Sequence, residues 1–267
     1  MISKRYRMHE LINPADDRSL VVNTSSGLSL GALPGLEDYT TAVTPLLPWI
    51  DGVVASPGQS RNLMSRSRTE AGLLISGDWT NAFRDQDFVL PPEHIQYIPL
   101  IGAQDALDLG ANALVMNFLL GHEETIDAQC IKRVVQLALE GSTMGMPLIV
   151  DVHPIGPRVV LQPKAIELGV SYALEGGADG IAIPWPGGAS FVDIQTMAAE
   201  VPVWVKPQAA DPTATELDEM LAAGVTNLWL DESIFAADDP LATVQAFAGL
   251  IHAPIPVPNS QLDGGAL

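Results

Sequence analysis

The chain has four lysines, Lys4, Lys132, Lys164 and Lys206, and only Lys206 closes a short apolar run, PVWVK. A lysine crowded by apolar walls can lose its proton near neutral pH and then attack a carbonyl or act as a base. It can equally stand as an ordinary ammonium paired with Asp231, Glu232 or Asp151, and the sequence leaves both readings open. His153 follows another apolar run in the phrase DVHP, and Asp151 precedes it by two residues. Residues two apart in a strand point to the same side, so Asp151 can face one cavity with His153 and tune it. An imidazole there can exchange protons near neutrality. Lys206, His153 and Asp151 are therefore the catalytic candidates. The bland alternative for His153 is a packed ring bonded to a neighbouring carbonyl.

Other residues at the ends of apolar runs are candidate substrate contacts: Asn117, Asp78 beside Trp79, Trp185, and the pair Asp231 and Glu232. A carboxylate beside an indole can hold a cation or a ring. A tryptophan at such a site can instead cap the core, and the acidic pair can be a solvated loop. His122 with Glu123 and Glu124 reads as a helix start, where glutamates suit the helix dipole. The single cysteine, Cys130, falls in a helical segment with no His or carboxylate beside it and reads as an inert buried thiol. No Cys pair, His-x-x-x-His or Glu-x-x-His pattern is present, so no metal or cofactor is implied. Gly187-Gly188 lacks the lysine of a phosphate-cradling loop.

These residues need a scaffold that brings the ends of several strands together. Eight apolar runs recur: SLVVNT, DGVVAS, AGLLIS, ALVMNF, PLIVDV, DGIAIP, PVWVK and TNLWL. They are apolar throughout rather than alternating, as parallel strands covered on both faces should be. Helical segments separate them. Thr125 to Glu140 puts Ile126, Cys130, Val134, Leu137 and Ala138 on one stripe, and Thr215 to Ala222 is followed by Gly224. LGANAL, GGADGI and AAGVTNL repeat one device, a helix ending on Gly with a strand starting two or three residues later. Eight such units in 267 residues predict a single (β/α)8 TIM barrel over residues 1–267, with its active mouth at the C-terminal ends of the strands. Residues 1–17 read as an N-terminal arm and 253–267 as an irregular tail. Gly77 to Ile98 is long for one connection and reads as a lid or an extra hairpin.

Composition narrows the partners. The net charge of −19, from 13 basic and 32 acidic residues, argues against nucleic acid and anionic membranes. No stretch approaches a membrane span, and MISKRYRMHE lacks the apolar run of a secretory signal. The expectation is a soluble, cytoplasmic protein whose partner is a small molecule.

Several phrases together resemble a known family. RYRMHELINPADDRSLVV, GLSLGALPGLED, DALDLGANALVMNFLLGHEE, GMPLIVDVHPIG, GGADGIAIPWPGG and SIFAADDP resemble the DeoC/LacD aldolases in order and spacing, over roughly residues 4 to 252. The branch they most resemble holds the archaeal-type class I fructose-bisphosphate aldolases and the LsrF-type autoinducer-processing thiolase. The resemblance implies a barrel, carbon–carbon bond chemistry through a lysine imine, and homo-oligomeric rings. It also marks departures. The family's Asp-His-Gly after the first strand reads Ser25-Ser26-Gly27, so Ser25 replaces a carboxylate, which leaves it a candidate substrate contact. The imine-forming lysine of the sixth strand is Ala182, which cannot form an imine. The phosphate-binding positions read Pro207-Gln208 and Asp231-Glu232-Ser233, and Glu232 in place of an arginine would repel an anion. His153 matches a tyrosine used in acid–base chemistry. VKP around Lys206 resembles the helper lysine of deoxyribose-phosphate aldolases.

Two functions follow. One is a divergent aldolase-family enzyme that makes, breaks or rearranges bonds next to a carbonyl in a small non-phosphorylated substrate. Lys206 would be its imine former or base and His153 its acid and base. A variant without an imine would work by acid–base chemistry at Asp151, His153, Asp231 and Glu232. The other is a catalytically inactive homologue serving as a binding or scaffold subunit. A mouth where His153 and Lys206 converge on one point favours the enzyme, and a mouth filled by Trp185 favours the scaffold.

Overall fold

The computed structural model describes residues 2–66, 71–208, 210–211 and 213–252. The tail expected to be irregular, 253–267, lies outside the described residues.

Eight parallel strands close into a barrel: β1 (Ser19–Asn23), β2 (Gly52–Ala55), β3 (Gly72–Ser76), β6 (Ala113–Leu120), β7 (Leu148–Pro154), β8 (Gly180–Pro184), β9 (Val203–Lys206) and β10 (Asn227–Leu230). They are the eight runs read from sequence, and two are longer than expected: β6 extends to Leu120 and β7 to Pro154. Hydrogen bonding runs β1-β10-β9-β8-β7-β6-β3-β2 and back to β1. The remaining strands, β4 (Asp78–Thr80) and β5 (Tyr97–Pro99), form a separate antiparallel hairpin. This is the extra hairpin allowed by the long connection after β3.

The apolar runs lack alternation because both faces of the sheet are buried. Leu20, Val22, Val53, Leu73 and Ile75 point outward into a layer shared with the helices. Val21, Val54, Leu74, Val115, Ile149, Trp204 and Trp229 point inward and fill the barrel. The outer ring includes α4 (Pro57–Arg66), α5 (Ala103–Asp108), α6 (Glu124–Met144), α7 (Gln162–Gly176), α8 (Gly188–Ala198), α9 (Thr215–Ala222) and α10 (Pro240–Ile251). Short helices α2 (Gly27–Leu30) and α3 (Tyr39–Val43) lie in the connection after β1. The stripe on α6 is buried as its spacing predicts, from Ile126 to Ala138. Four strands are entered through a left-handed glycine, the three of the repeated device, Gly110 (φ 81°), Gly177 (φ 92°) and Gly224 (φ 88°), and Gly145 (φ 74°) before β7. A side chain would be strained there, which is why one device recurs three times.

The N-terminal arm is a helix, α1 (Ile2–His9). Met8 and the following Leu11 enter the inner cluster from the N-terminal end and plug the barrel floor. Lys4 is buried and donates to Asp179 at 2.7 Å, tying the plug to the start of β8. The barrel interior is thereby filled at this end.

Candidate active site

β7 and β9 carry the centre of the mouth, on either side of β8. Cross-strand pairing sets Asn117 beside Asp151, Asp151 beside Ala182, and Ala182 beside Trp204. Lys206 pairs with Pro184, one inward position further along. Its side chain crosses β8 to reach Asp151, and Ala182 on the intervening strand presents only a methyl group.

Lys206 Nζ bonds Asp151 Oδ1, and His153 Nε2 lies 3.1 Å from Asp151 Oδ2. One carboxylate therefore receives an amine from β9 and an imidazole from β7. Asp151 is buried, and the side chains of His153 and Lys206 are only 17% and 14% exposed. Burial alone would raise the Asp151 carboxyl, but His153 and Lys206 hold it below the usual carboxylate range. Burial lowers His153, helped by the positive charge of Lys206 and opposed by Asp151. The net result is a neutral imidazole beside an ionised carboxylate. Lys206 Nζ also lies 5.9 Å above the Trp229 ring, whose face favours a cation.

The network continues away from Lys206. His153 Nε2 is 3.0 Å from Asn117 Oδ1, and Asn117 Nδ2 donates to Asp78 Oδ1 at 2.6 Å. Asp78 Oδ2 accepts the Asn117 backbone N–H at 2.8 Å and the Tyr97 hydroxyl at 3.0 Å. The chain Lys206–Asp151–His153–Asn117–Asp78–Tyr97 thus runs from β9 to the hairpin. Asp78 is buried, and desolvation pushes its carboxyl up to about 7 despite those three donors. Phe83 from the hairpin loop stands edge-on to His153, centroids 4.8 Å apart.

The remaining expected residues lie at the rim or outside the site. Glu232 accepts from Ser26 Oγ at 2.7 Å, joining the loops after β10 and β1, and burial raises its carboxyl. Asp231 is exposed and caps the short helix Glu232–Ala236 through the Ser233 N–H at 2.9 Å. Ser25 bonds back to Asn23, with its N–H at 3.0 Å and its hydroxyl at 2.8 Å from Asn23 Oδ1. Trp185 is buried against Phe191 in the layer between barrel and helices, with centroids 5.6 Å apart, and so does not fill the mouth. Cys130 is buried, and desolvation raises its thiol to about 12.

The hairpin spans the mouth. Trp79 Nε1 donates to the Leu28 carbonyl at 2.8 Å and Arg84 Nε to the Ser29 carbonyl at 2.7 Å, both in the segment after β1. A cavity of about 430 Å³ lies along that segment, lined by Thr24, Ser25, Leu28, Tyr39, Ser56 and Gln59 and not by Lys206, Asp151 or His153. Two larger cavities, of about 530 and 590 Å³, lie at the α1 end of the barrel, away from the Lys206 cluster. Sequence reasoning passed over Asn23, Tyr97, Phe83 and Trp229. Asn23 and Trp229 had a signal, since each sits two residues from a neighbour on the inward face of its strand. Tyr97 and Phe83 had none, because a hairpin brings them in.

No family model matches the chain. It is 23% identical over 253 residues to the 3-hydroxy-5-phosphonooxypentane-2,4-dione thiolase of Yersinia pseudotuberculosis, covering 92% of this chain and 81% of that protein. It is 22% identical over 249 residues to an uncharacterized aldolase of Pasteurella multocida, with the same coverage of 92% and 81%. In structure it superposes on a Schiff-base-forming fructose-1,6-bisphosphate aldolase with a TM-score of 0.75 at 18% identity, over 93% of this chain and 100% of the other. An archaeal fructose-1,6-bisphosphate aldolase gives a TM-score of 0.74 at 19% identity, over 93% and 98%. The chain is thus similar, at 22–23% identity, to a thiolase and an aldolase, shares the barrel of the fructose-1,6-bisphosphate aldolases, and carries Ala182 where the resemblance puts the imine-forming lysine.

Proposed function

We propose that the protein is an aldolase-like lyase acting on a small, non-phosphorylated carbonyl compound, with Lys206, Asp151 and His153 as its catalytic group. The observation that carries this reading is the convergence of Lys206 and His153 on the two oxygens of Asp151. Acid and base are thus held apart by one buried anion. In the cleavage direction, neutral His153 takes the hydroxyl proton of a β-hydroxycarbonyl compound. The carbon–carbon bond breaks to release an aldehyde, and its electron pair collects as an enolate. The Lys206 ammonium, held by Asp151, stabilises the enolate oxygen, and the proton on His153 returns to carbon. Glu232 beside Ser26 supports a substrate without phosphate, since a phosphate there would meet a carboxylate.

A second reading keeps the imine. Lys206 is walled by the Trp229 ring, and a substrate that displaces Asp151 would let the amine lose its proton and attack the carbonyl. Asn117 would orient the substrate only by leaving His153, so it is assigned to the network rather than to substrate. Borohydride reduction with dihydroxyacetone, read by intact mass, separates the two. The ammonium reading expects no adduct but retro-aldol turnover of β-hydroxyketones that disappears in Lys206→Met. An adduct lost in Lys206→Arg establishes the imine instead. Absence of both adduct and turnover across a panel of hydroxycarbonyl compounds would sink the enzymatic reading in favour of a binding subunit.

A further inference from the structure

We infer that Asp78 is a positioning residue that fixes the tautomer of His153 through Asn117. The inference deepens the proposed function, since it assigns which ring nitrogen is left to act as base.

The argument starts from what each atom can donate. Asp78 grips residue 117 twice, by the backbone N–H at 2.8 Å and the side-chain Nδ2 at 2.6 Å. Above the value of about 7 to which burial raises it, the Asp78 carboxyl is ionised and only accepts, so it directs the NH2 of Asn117 toward itself and the amide oxygen toward His153. His153 Nε2 then faces two acceptors, Asn117 Oδ1 at 3.0 Å and Asp151 Oδ2 at 3.1 Å. A nitrogen between two acceptors carries the proton. In the neutral ring the lone pair therefore sits on Nδ1, which has no hydrogen-bond partner among the described residues. Asp78 touches none of the catalytic side chains by hydrogen bond and acts only through the amide it orients. Tyr97 completes the carboxylate from the far strand of the hairpin.

Asp78→Asn is the informative change. Its amide must present an NH2 on one of two sides. On the side of Oδ2 stands the backbone N–H of Asn117, a donor that cannot turn over. The NH2 is therefore driven to the other side, against the NH2 of Asn117. The Asn117 amide must rotate, presenting its own NH2 to His153. Nε2 then meets a donor on one side and Asp151 on the other, and the single tautomer is lost.

The test uses the full chain with ¹⁵N-labelled histidine, read by long-range proton–nitrogen correlation at about pH 8.5, where His153 is neutral and Asp78 is ionised. His153→Gln assigns its signals among the five histidines. In the wild type, Nε2 is expected at the protonated position and Nδ1 at the bare position, well separated. Asp78→Asn is expected to draw the two resonances toward each other. Tyr97→Phe, which removes only one donor to Oδ2, is expected to leave them as in the wild type. A wild-type ring protonated on Nδ1, or ring signals unchanged by Asp78→Asn, overturns the inference. If Asp78→Asn fails to fold, the wild-type spectrum still decides. These readouts need no substrate, so the inference and the proposed reaction fail separately. Where turnover is found, Asp78→Asn should lower kcat about tenfold with KM little changed.

Discussion

Two lysine–aspartate pairs tie the barrel, one at each end, and they keep different company. At the floor, Lys4 on α1 meets Asp179 just before β8, and the same carboxylate oxygen accepts the Leu148 N–H at 3.0 Å. At the mouth, Lys206 meets Asp151, whose second oxygen faces His153. The floor pair spans an added helix and the sheet, and its aspartate is completed by backbone. The mouth pair spans two strands of one sheet, and its aspartate is completed by a group that titrates. A fixed N–H leaves a pair with only one thing to do, which is to hold. An imidazole on the same carboxylate makes a unit that can move a proton. Lysine and aspartate are common to both, so it is the third partner that separates the anchor from the proposed catalytic group.

The largest expected effect comes from cutting each pair in turn. Lys206→Met should lower turnover at least about 10³-fold, because in the proposed reaction it removes the cation that stabilises the enolate oxygen. Lys4→Met should leave kcat/KM within about twofold and instead cost about 1–3 kcal/mol of stability, since it strands a carboxylate that is 24% exposed. Paired steady-state kinetics and urea unfolding read both. A floor variant that loses activity, or a mouth variant that keeps it, breaks the distinction.

The network behind the mouth makes a second prediction. Asp78 has its carboxyl raised from 3.8 to about 7 by burial. Between those values the unfolded chain has released the proton and the folded chain still holds it. Unfolding therefore becomes easier as pH rises through that window, by up to roughly 4 kcal/mol. Asp78→Asn should flatten the stability profile from pH 4 to 7, measured by denaturant midpoints. An unchanged profile would remove Asp78 as its source.

The smallest effect concerns pH and rate. Because His153 is lowered from 6.5, the base form is already dominant at neutrality. The acid limb of kcat/KM should therefore lie below pH 6.5, and the His153 ring, followed by NMR, should titrate at a higher pH in Lys206→Met, which removes a repelling charge. A limb above 6.5 in the wild type would point to a different base.

The sequence by itself determined the barrel. Eight doubly buried strands must be apolar along their whole length, and each helix-to-strand turn at Gly110, Gly177 and Gly224 needs a left-handed residue, so both features are written locally. It also placed Lys206, His153 and Asp151 at strand ends, since position in a strand is a local property. It gave no reason to choose Asp151 over Asp231 or Glu232 as the partner of Lys206. That choice needed the register of β7, β8 and β9, which puts only Asp151 on the inner face within reach, while Asp231 turns to cap its own short helix. The hairpin was foreseen as one of two readings of the long connection after β3, a lid or an extra hairpin. Its delivery of Asp78, Tyr97 and Phe83 to the mouth was decided by tertiary structure, because short-range patterning does not encode which distant strand end a loop will close over.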